Sequence, residues 1–215
     1  MEQYIDFSDK NLLYVAGVTI LAPIIWNVLA RIEYHTRLLT KLACGNPQLG
    51  CYMLAVYIFS FSLFRDYLFD RALATQPVVL KEQYGTELMY VGYTLQGIAA
   101  LLVLGAYYQL GITGTYLGDY FGILMEERIT SFPFNITDNP MYNGSTLWFI
   151  GHSLVKCSPA GLLLSLEIFI MYKIALMFEE PFTAMIYAKR DEERKSGKSS
   201  SSPTTPSKRK SKKLD

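Results

Sequence analysis

Long apolar runs separated by short polar stretches organise this chain. Asn11–Ala30, Leu42–Phe64 and Leu88–Ile112 contain no charged residue. A helix crosses the hydrocarbon core with roughly 20 apolar residues, so each run predicts a membrane span. Pro23 predicts a kink in the first. Pro47 is expected to hold the start of the second helix back to Gln48 or Leu49.

A fourth apolar region, Thr146–Phe178, is interrupted by His152, Lys156 and Ser158-Pro159-Ala160-Gly161. Pro-Ala-Gly is a poor helix interior and a good turn. The pattern predicts a hairpin: a short helix up to about Lys156, then a longer one from Gly161 to Phe178, reaching about 27 Å. The alternative is one long, kinked fourth span. The expected fold is therefore all-α, an integral membrane protein with three spans plus a C-terminal helical hairpin or a fourth span.

That choice decides what two polar marks can do. Asn139-Pro140-Met141-Tyr142-Asn143-Gly144 precedes the fourth region and reads as a turn. Glu179-Glu180-Pro181-Phe182 closes it. A hairpin brings both marks to one membrane face. A single span separates them by about 30 Å, which no small ligand bridges.

Charge favours the hairpin. Residues 189–215 hold ten of the twenty Lys and Arg and four of the nineteen acids, leaving the rest of the chain at −5. A charge-poor apolar body of residues 1–188 with a disordered basic tail, 189–215, is the expected division. The tail is expected on the cytosolic side. A hairpin then places the loop from Thr113 to Ser145 there too, together with Arg31, Arg37 and Lys41. Two sequons, at Asn135 and Asn143, lie in that loop, and their glycosylation would argue for the opposite placement.

Lys212-Lys213-Leu214-Asp215 resembles the dilysine signal that returns membrane proteins to the endoplasmic reticulum, which implies recognition by coat protein. The basic tail could equally lie on anionic lipid. The acidic N-terminus is unlike a cleavable signal peptide. Cys44, Cys51 and Cys157 have no metal spacing and suit apolar packing. No metal site and no nucleic-acid partner are expected.

Two adjacent acids at the end of a membrane-length segment are costly unless they serve something. Tyr142 and Trp148 offer aromatic faces to a cation. His152 is a candidate acid–base group, although a lone His among apolar residues is more often packed. Glu167 and Lys173 are intramembrane charges, and Lys173 can snorkel. Arg31 and Arg37 could meet lipid phosphate or serve as interfacial anchors. The alternative reading of the acids is a solvated helix end.

Several runs together resemble one family. They are Gly118-Asp119-Tyr120-Phe121-Gly122-Ile123-Leu124, Phe132-Pro133-Phe134-Asn135, Asn139-Pro140-Met141-Tyr142 with Gly144-Ser145-Thr146, and Glu179-Glu180-Pro181-Phe182-Thr183-Ala184. They look like the phospholipid N-methyltransferases of the endoplasmic reticulum. The resemblance runs from Trp26 to Tyr187 and is nearest to fungal versions.

It implies S-adenosylmethionine as methyl donor and a membrane phospholipid amine as acceptor. It implies N-methylation of the mono- and dimethylated ethanolamine lipids to phosphatidylcholine, in a multi-pass protein of the endoplasmic reticulum membrane, with a mitochondrial membrane as a second expected location. It implies donor contacts at Asn139, Pro140, Tyr142, Gly144, Glu179 and Glu180. A second contact falls on Gly97-Ile98-Ala99, where the family's second Gly is Ala. Glu180 and His152 are the candidate catalytic bases. Other readings stay open: all three methylations from phosphatidylethanolamine, carboxyl methylation of a prenylated cysteine, or a non-catalytic membrane scaffold.

Overall fold

The structure, a computed structural model, describes residues 4–79 and 81–197. The elements are α1 (Lys10–Thr36), α2 (Leu38–Leu42), α3 (Pro47–Thr75), α4 (Lys81–Thr115), a 3₁₀ turn at Gly118–Phe121, α5 (Pro140–Val155) and α6 (Pro159–Lys195). Among the described residues every regular element is helical. The helices α1, α3, α4 and α6 are each long and apolar enough to cross a membrane.

Helix ends follow local chemistry. Asp9 caps α1 by accepting from Asn11 N–H, and Asn46 caps α3 by accepting from Gln48 and Leu49 N–H. Pro47 does not delay α3. It is the first helical residue, where the missing N–H costs nothing. Helix α1 also runs past the apolar stretch to Thr36. There the fully buried Glu33 turns the chain, accepting from Leu39 N–H at 2.7 Å, Thr40 N–H at 3.2 Å and the Thr40 hydroxyl. Glu33 thus does for α2 what a capping side chain does for other helices.

The fourth apolar region is a hairpin. Helix α5 ends in a Schellman turn with Cys157 left-handed at φ 50°, Ser158 N–H on Ser153 O and Cys157 N–H on Leu154 O. Ser158 then caps α6, whose first residue is Pro159. Gly161 lets the arms meet: a Cβ there would lie 2.6 Å from Ser153 Oγ.

The other flank of α5 packs on α4 even more closely. A Cβ on Gly151 would lie 2.6 Å from Gly92 O, and one on Gly144 would lie 2.8 Å from Val103 Cγ2. Small residues allow such approach where lipid gives helices no hydrophobic reason to associate.

Two apolar clusters hold the bundle. One joins α1, α3, α5 and α6 through Val15, Trp26, Phe69, Phe149, Ile168 and Tyr172. The other, through Ala30, Leu54, Tyr120, Phe121 and Ile186, seats the 3₁₀ turn against α1, α3 and α6. Cys51 and Cys157 are buried free thiols, as expected, and Cys44 is exposed.

Helix α6 continues to Lys195, into the segment expected to be a disordered tail. At 1.5 Å per residue it is about 55 Å long, well beyond the hydrocarbon core. Its extension grips the loop after the 3₁₀ turn: Arg190 Nη1 donates to Met125 O at 2.6 Å, and Met125 N–H donates to Tyr187 Oη at 3.1 Å. The remainder of the tail, including Lys212 and Lys213, lies outside the described residues.

Candidate active site

Glu179 is buried where three helices converge. Its Oε1 accepts from Trp26 Nε1 at 2.9 Å and from Asn27 Nδ2 at 2.7 Å, both on α1. Its Oε2 accepts from the Tyr142 hydroxyl of α5 at 2.7 Å. All three donors are neutral. They stabilise a carboxylate without cancelling its charge, which remains available to a cation.

Glu180 has different surroundings. One residue further round α6, it is exposed and accepts from Asn139 Nδ2 at 2.9 Å. The two polar marks of the sequence therefore do meet, Asn139 on Glu180 and Tyr142 on Glu179. The hairpin brings them together.

Aromatic rings surround the acids. Tyr142 lies 4.8 Å from Tyr172 between ring centroids, and Tyr120 stacks on Phe182 at 4.9 Å with 9° between planes. The Tyr172 hydroxyl is fixed from below by Arg65 Nη1 at 2.6 Å. Arg65 is itself buried, pairs with Asp66 at 2.9 Å and stands over the Phe149 ring at 4.8 Å. From the loop, Asp119 accepts from the Thr183 hydroxyl at 2.7 Å.

Among the described residues, two buried polar atoms here have no hydrogen-bond partner, Asn27 Oδ1 and the Tyr120 hydroxyl. A buried acceptor without a donor is costly, so its retention beside a carboxylate points to a ligand. An ammonium-bearing ligand would supply donors to Asn27 Oδ1 and charge to Glu179. The residue types fit such a cation.

Other residues expected at the site have other neighbours. Asn139–Gly144 is not a turn but the beginning of α5, because Pro140 favours the first helical position. Pro140 is buried there. Gly144 faces α4, close to Ala99 O, and serves the helix crossing. Ala99 is buried in that same crossing, whereas Gly97 and Ile98 are both exposed.

His152 is not brought to the acids. It lies towards the hairpin turn, with Nε2 3.1 Å from Asp70 Oδ1, and Lys156 shares that carboxylate at 3.4 Å. Trp148 faces outward, 44% exposed.

Trp26, Asn27, Tyr120, Asp119 and Tyr172 join the site without having been singled out as contacts. Asn27 carried a signal, since a polar amide inside an apolar run is a functional mark in a membrane helix. The others look like ordinary apolar or loop residues until the fold places them.

Fold and site define a multi-pass, all-helical membrane protein with a carboxylate pair among aromatic rings at one end of its bundle. A family model described as phospholipid methyltransferase matches residues 88–190. The phosphatidyl-N-methylethanolamine N-methyltransferase of Saccharomyces cerevisiae is 51% identical over 89% of this chain and 92% of its own length. Phosphatidylethanolamine N-methyltransferase A of Dictyostelium discoideum is 51% identical over 86% of each chain. The human phosphatidylethanolamine N-methyltransferase is 44% identical over 87% of this chain and 93% of its own. No solved structure matches. The chain belongs to the phospholipid methyltransferase family and is a methyltransferase.

Proposed function

We propose that this protein uses S-adenosylmethionine to methylate the amine of phosphatidyl-N-methylethanolamine and phosphatidyl-N,N-dimethylethanolamine, completing phosphatidylcholine. The observation that carries the reading is the pairing of α5 and α6 through Tyr142–Glu179 and Asn139–Glu180. It creates one polar site, open at Glu180 and buried at Glu179, within an otherwise apolar bundle. Similarity to fungal enzymes named for the monomethylated lipid supports that acceptor.

When bound, S-adenosylmethionine supplies an electrophilic methyl on a sulfonium sulfur. Glu179, Asn27 and the Tyr142 ring are the residues suited to hold that cation and its ammonium. Glu180 takes the proton of the lipid ammonium, because the amine needs its lone pair to attack. Among the described residues it accepts only from Asn139, which leaves the carboxylate room to accept. Glu179, occupied by three donors, stays a fixed charge. The rings of Tyr142, Tyr172, Tyr120 and Phe182 limit water around the amine.

The proposal includes residence in the endoplasmic reticulum membrane with the Glu179 end towards the cytosol. The basic segment from residue 189 onward supports that orientation.

Purified protein in mixed micelles, given labelled S-adenosylmethionine and lipids bearing no, one or two N-methyl groups, tests the reading. Phosphatidylcholine is expected from the mono- and dimethylated lipids. No product from either sinks the proposal.

A further inference from the structure

The seam between α1 and α6 is tied at Trp26 and Asn27 by Glu179 but opens into a groove deeper in the bundle. On α1, Ala16, Ile20, Ile24, Asn27 and Arg31 follow at helical spacing. On α6, Glu167, Ile170, Ile174 and Phe178 do the same. Ile20, Ile24, Ile170, Ile174 and Phe178 on these two helices are all exposed. The deep end of the seam is an apolar groove of about 380 Å³ between Ala16 and Ile20 of α1 and Leu163, Leu166, Glu167 and Ile170 of α6.

The shallow end is Arg31. Its Nη2 donates to Phe178 O at 2.9 Å, and its guanidinium stands 4.7 Å over Phe182 and 5.9 Å from the Phe178 ring. It makes no ion pair among the described residues. Stacked on rings and tied to one carbonyl, the guanidinium keeps a fork of donors free. That is the geometry suited to a phosphate.

Depth connects the two ends. From Arg31 to Ile20, and from Phe178 to Glu167, the helices each descend about 16 Å. This is half of the ~30 Å hydrocarbon core, the depth of one leaflet. A lipid with its phosphate at Arg31 would end its acyl chain in the groove. Its head would stand one helical turn from Asn27, whose amide holds Glu179.

We infer that the α1–α6 seam seats the acceptor phospholipid, with Arg31 on its phosphodiester and the groove beside Glu167 around the end of one acyl chain. The inference rests on the lipid N-methylation proposed above and adds where the lipid lies. Glu167 forms the floor. Its carboxyl has no hydrogen-bond or ion-pair partner among the described residues, and it limits how deep a methylene chain settles.

The test uses the full chain in nanodiscs with a phosphatidyl-N-methylethanolamine bearing a diazirine at the end of one acyl chain. After irradiation, adducts on wild-type protein are expected within residues 16–20 and 163–171. Adducts confined to α4 or to α3 overturn the inference, as does a seam covered by a second copy and free of adducts. Conversion of the unlabelled lipid in the same particles is read in parallel, so loss of the proposed function is seen separately.

Ala16→Phe and Ile20→Trp fill the groove from two positions. Each is expected to lower, by about tenfold, the ratio of kcat/KM for dioleoyl over dihexanoyl substrate. An unchanged ratio overturns the acyl assignment. Arg31→Gln is expected to raise the KM for lipid about tenfold, with kcat and donor affinity little changed, and Arg31→Lys to recover part of it. Loss of donor affinity instead would assign Arg31 to the other substrate and overturn the phosphate assignment.

Discussion

The Tyr142 hydroxyl donates to Glu179 Oε2 across 2.7 Å, tying the first turn of α5 to the far part of α6. The bond needs the hairpin turn at Lys156–Ser158, since that turn makes the two helices antiparallel. Tyr142→Phe keeps the ring against Tyr172 and removes only this bond. A hydrogen bond to a charged group contributes about 1.5–3 kcal/mol, so donor affinity is expected to fall roughly ten- to hundredfold. Calorimetric titration of S-adenosylmethionine into the purified variant measures it.

The two acids are expected to fail differently. Glu179→Gln removes the fixed charge and should weaken donor binding by more than about tenfold. Glu180→Gln should lower kcat by about 10²-fold or more while leaving donor affinity nearly intact, as loss of a general base does. Equal loss of donor binding in both variants would show that the acids act as one ligand set.

Close helix crossing makes a separate prediction about stability. Gly151→Val places methyl groups where Gly92 O and Gln96 already lie. Overpacking of this kind costs about 1–3 kcal/mol. A lowered melting temperature in detergent is expected, with greater harm than from Gly97→Ala, where a Cβ meets nothing within 4 Å.

Orientation can be read from glycosylation. Asn135 is exposed in the loop at the Glu179 end of the bundle. If that end faces the cytosol, Asn135 stays unmodified in cells, while a sequon engineered at Val78–Val79, by the opposite bundle end, is a candidate for modification. A mobility shift abolished by Asn135→Gln would reverse the proposed orientation.

At that opposite end, Asp9 caps α1. Burial raises its carboxyl, but hydrogen bonds from Thr75, Asn11 and Gln76 outweigh this and hold it below the ordinary 3.8. A lowered folded value means the contribution is complete above the unfolded pKa and is lost as pH falls through the folded one. Thermal unfolding between pH 5 and 2 should show a steeper loss for wild type than for Asp9→Ala.

Much of the fold was legible because apolar length, Pro and Gly report backbone fate directly. Three spans and the break at Ser158–Gly161 follow from that alone. Asn139–Gly144 was misread because Pro and Asn mark turns and helix beginnings alike, and only the helix that follows distinguishes them. Tyr142 and the acid pair stand out through resemblance and through the cost of charge near lipid, and the hairpin brings them together. His152 fitted the same reasoning, yet about three turns of α5 separate it from Tyr142. Trp26 and Tyr172 were illegible, since an aromatic in a membrane helix says nothing of its partner until the helices pack.

Trp26 has a further consequence. The chain contains two tryptophans. One gives its indole N–H to Glu179, and the other, Trp148, faces outward. Replacing Trp148 with Phe would leave a single tryptophan, hydrogen-bonded to the buried carboxylate of the site and excitable apart from the tyrosines. Its emission would then report on ligand occupancy without any attached dye.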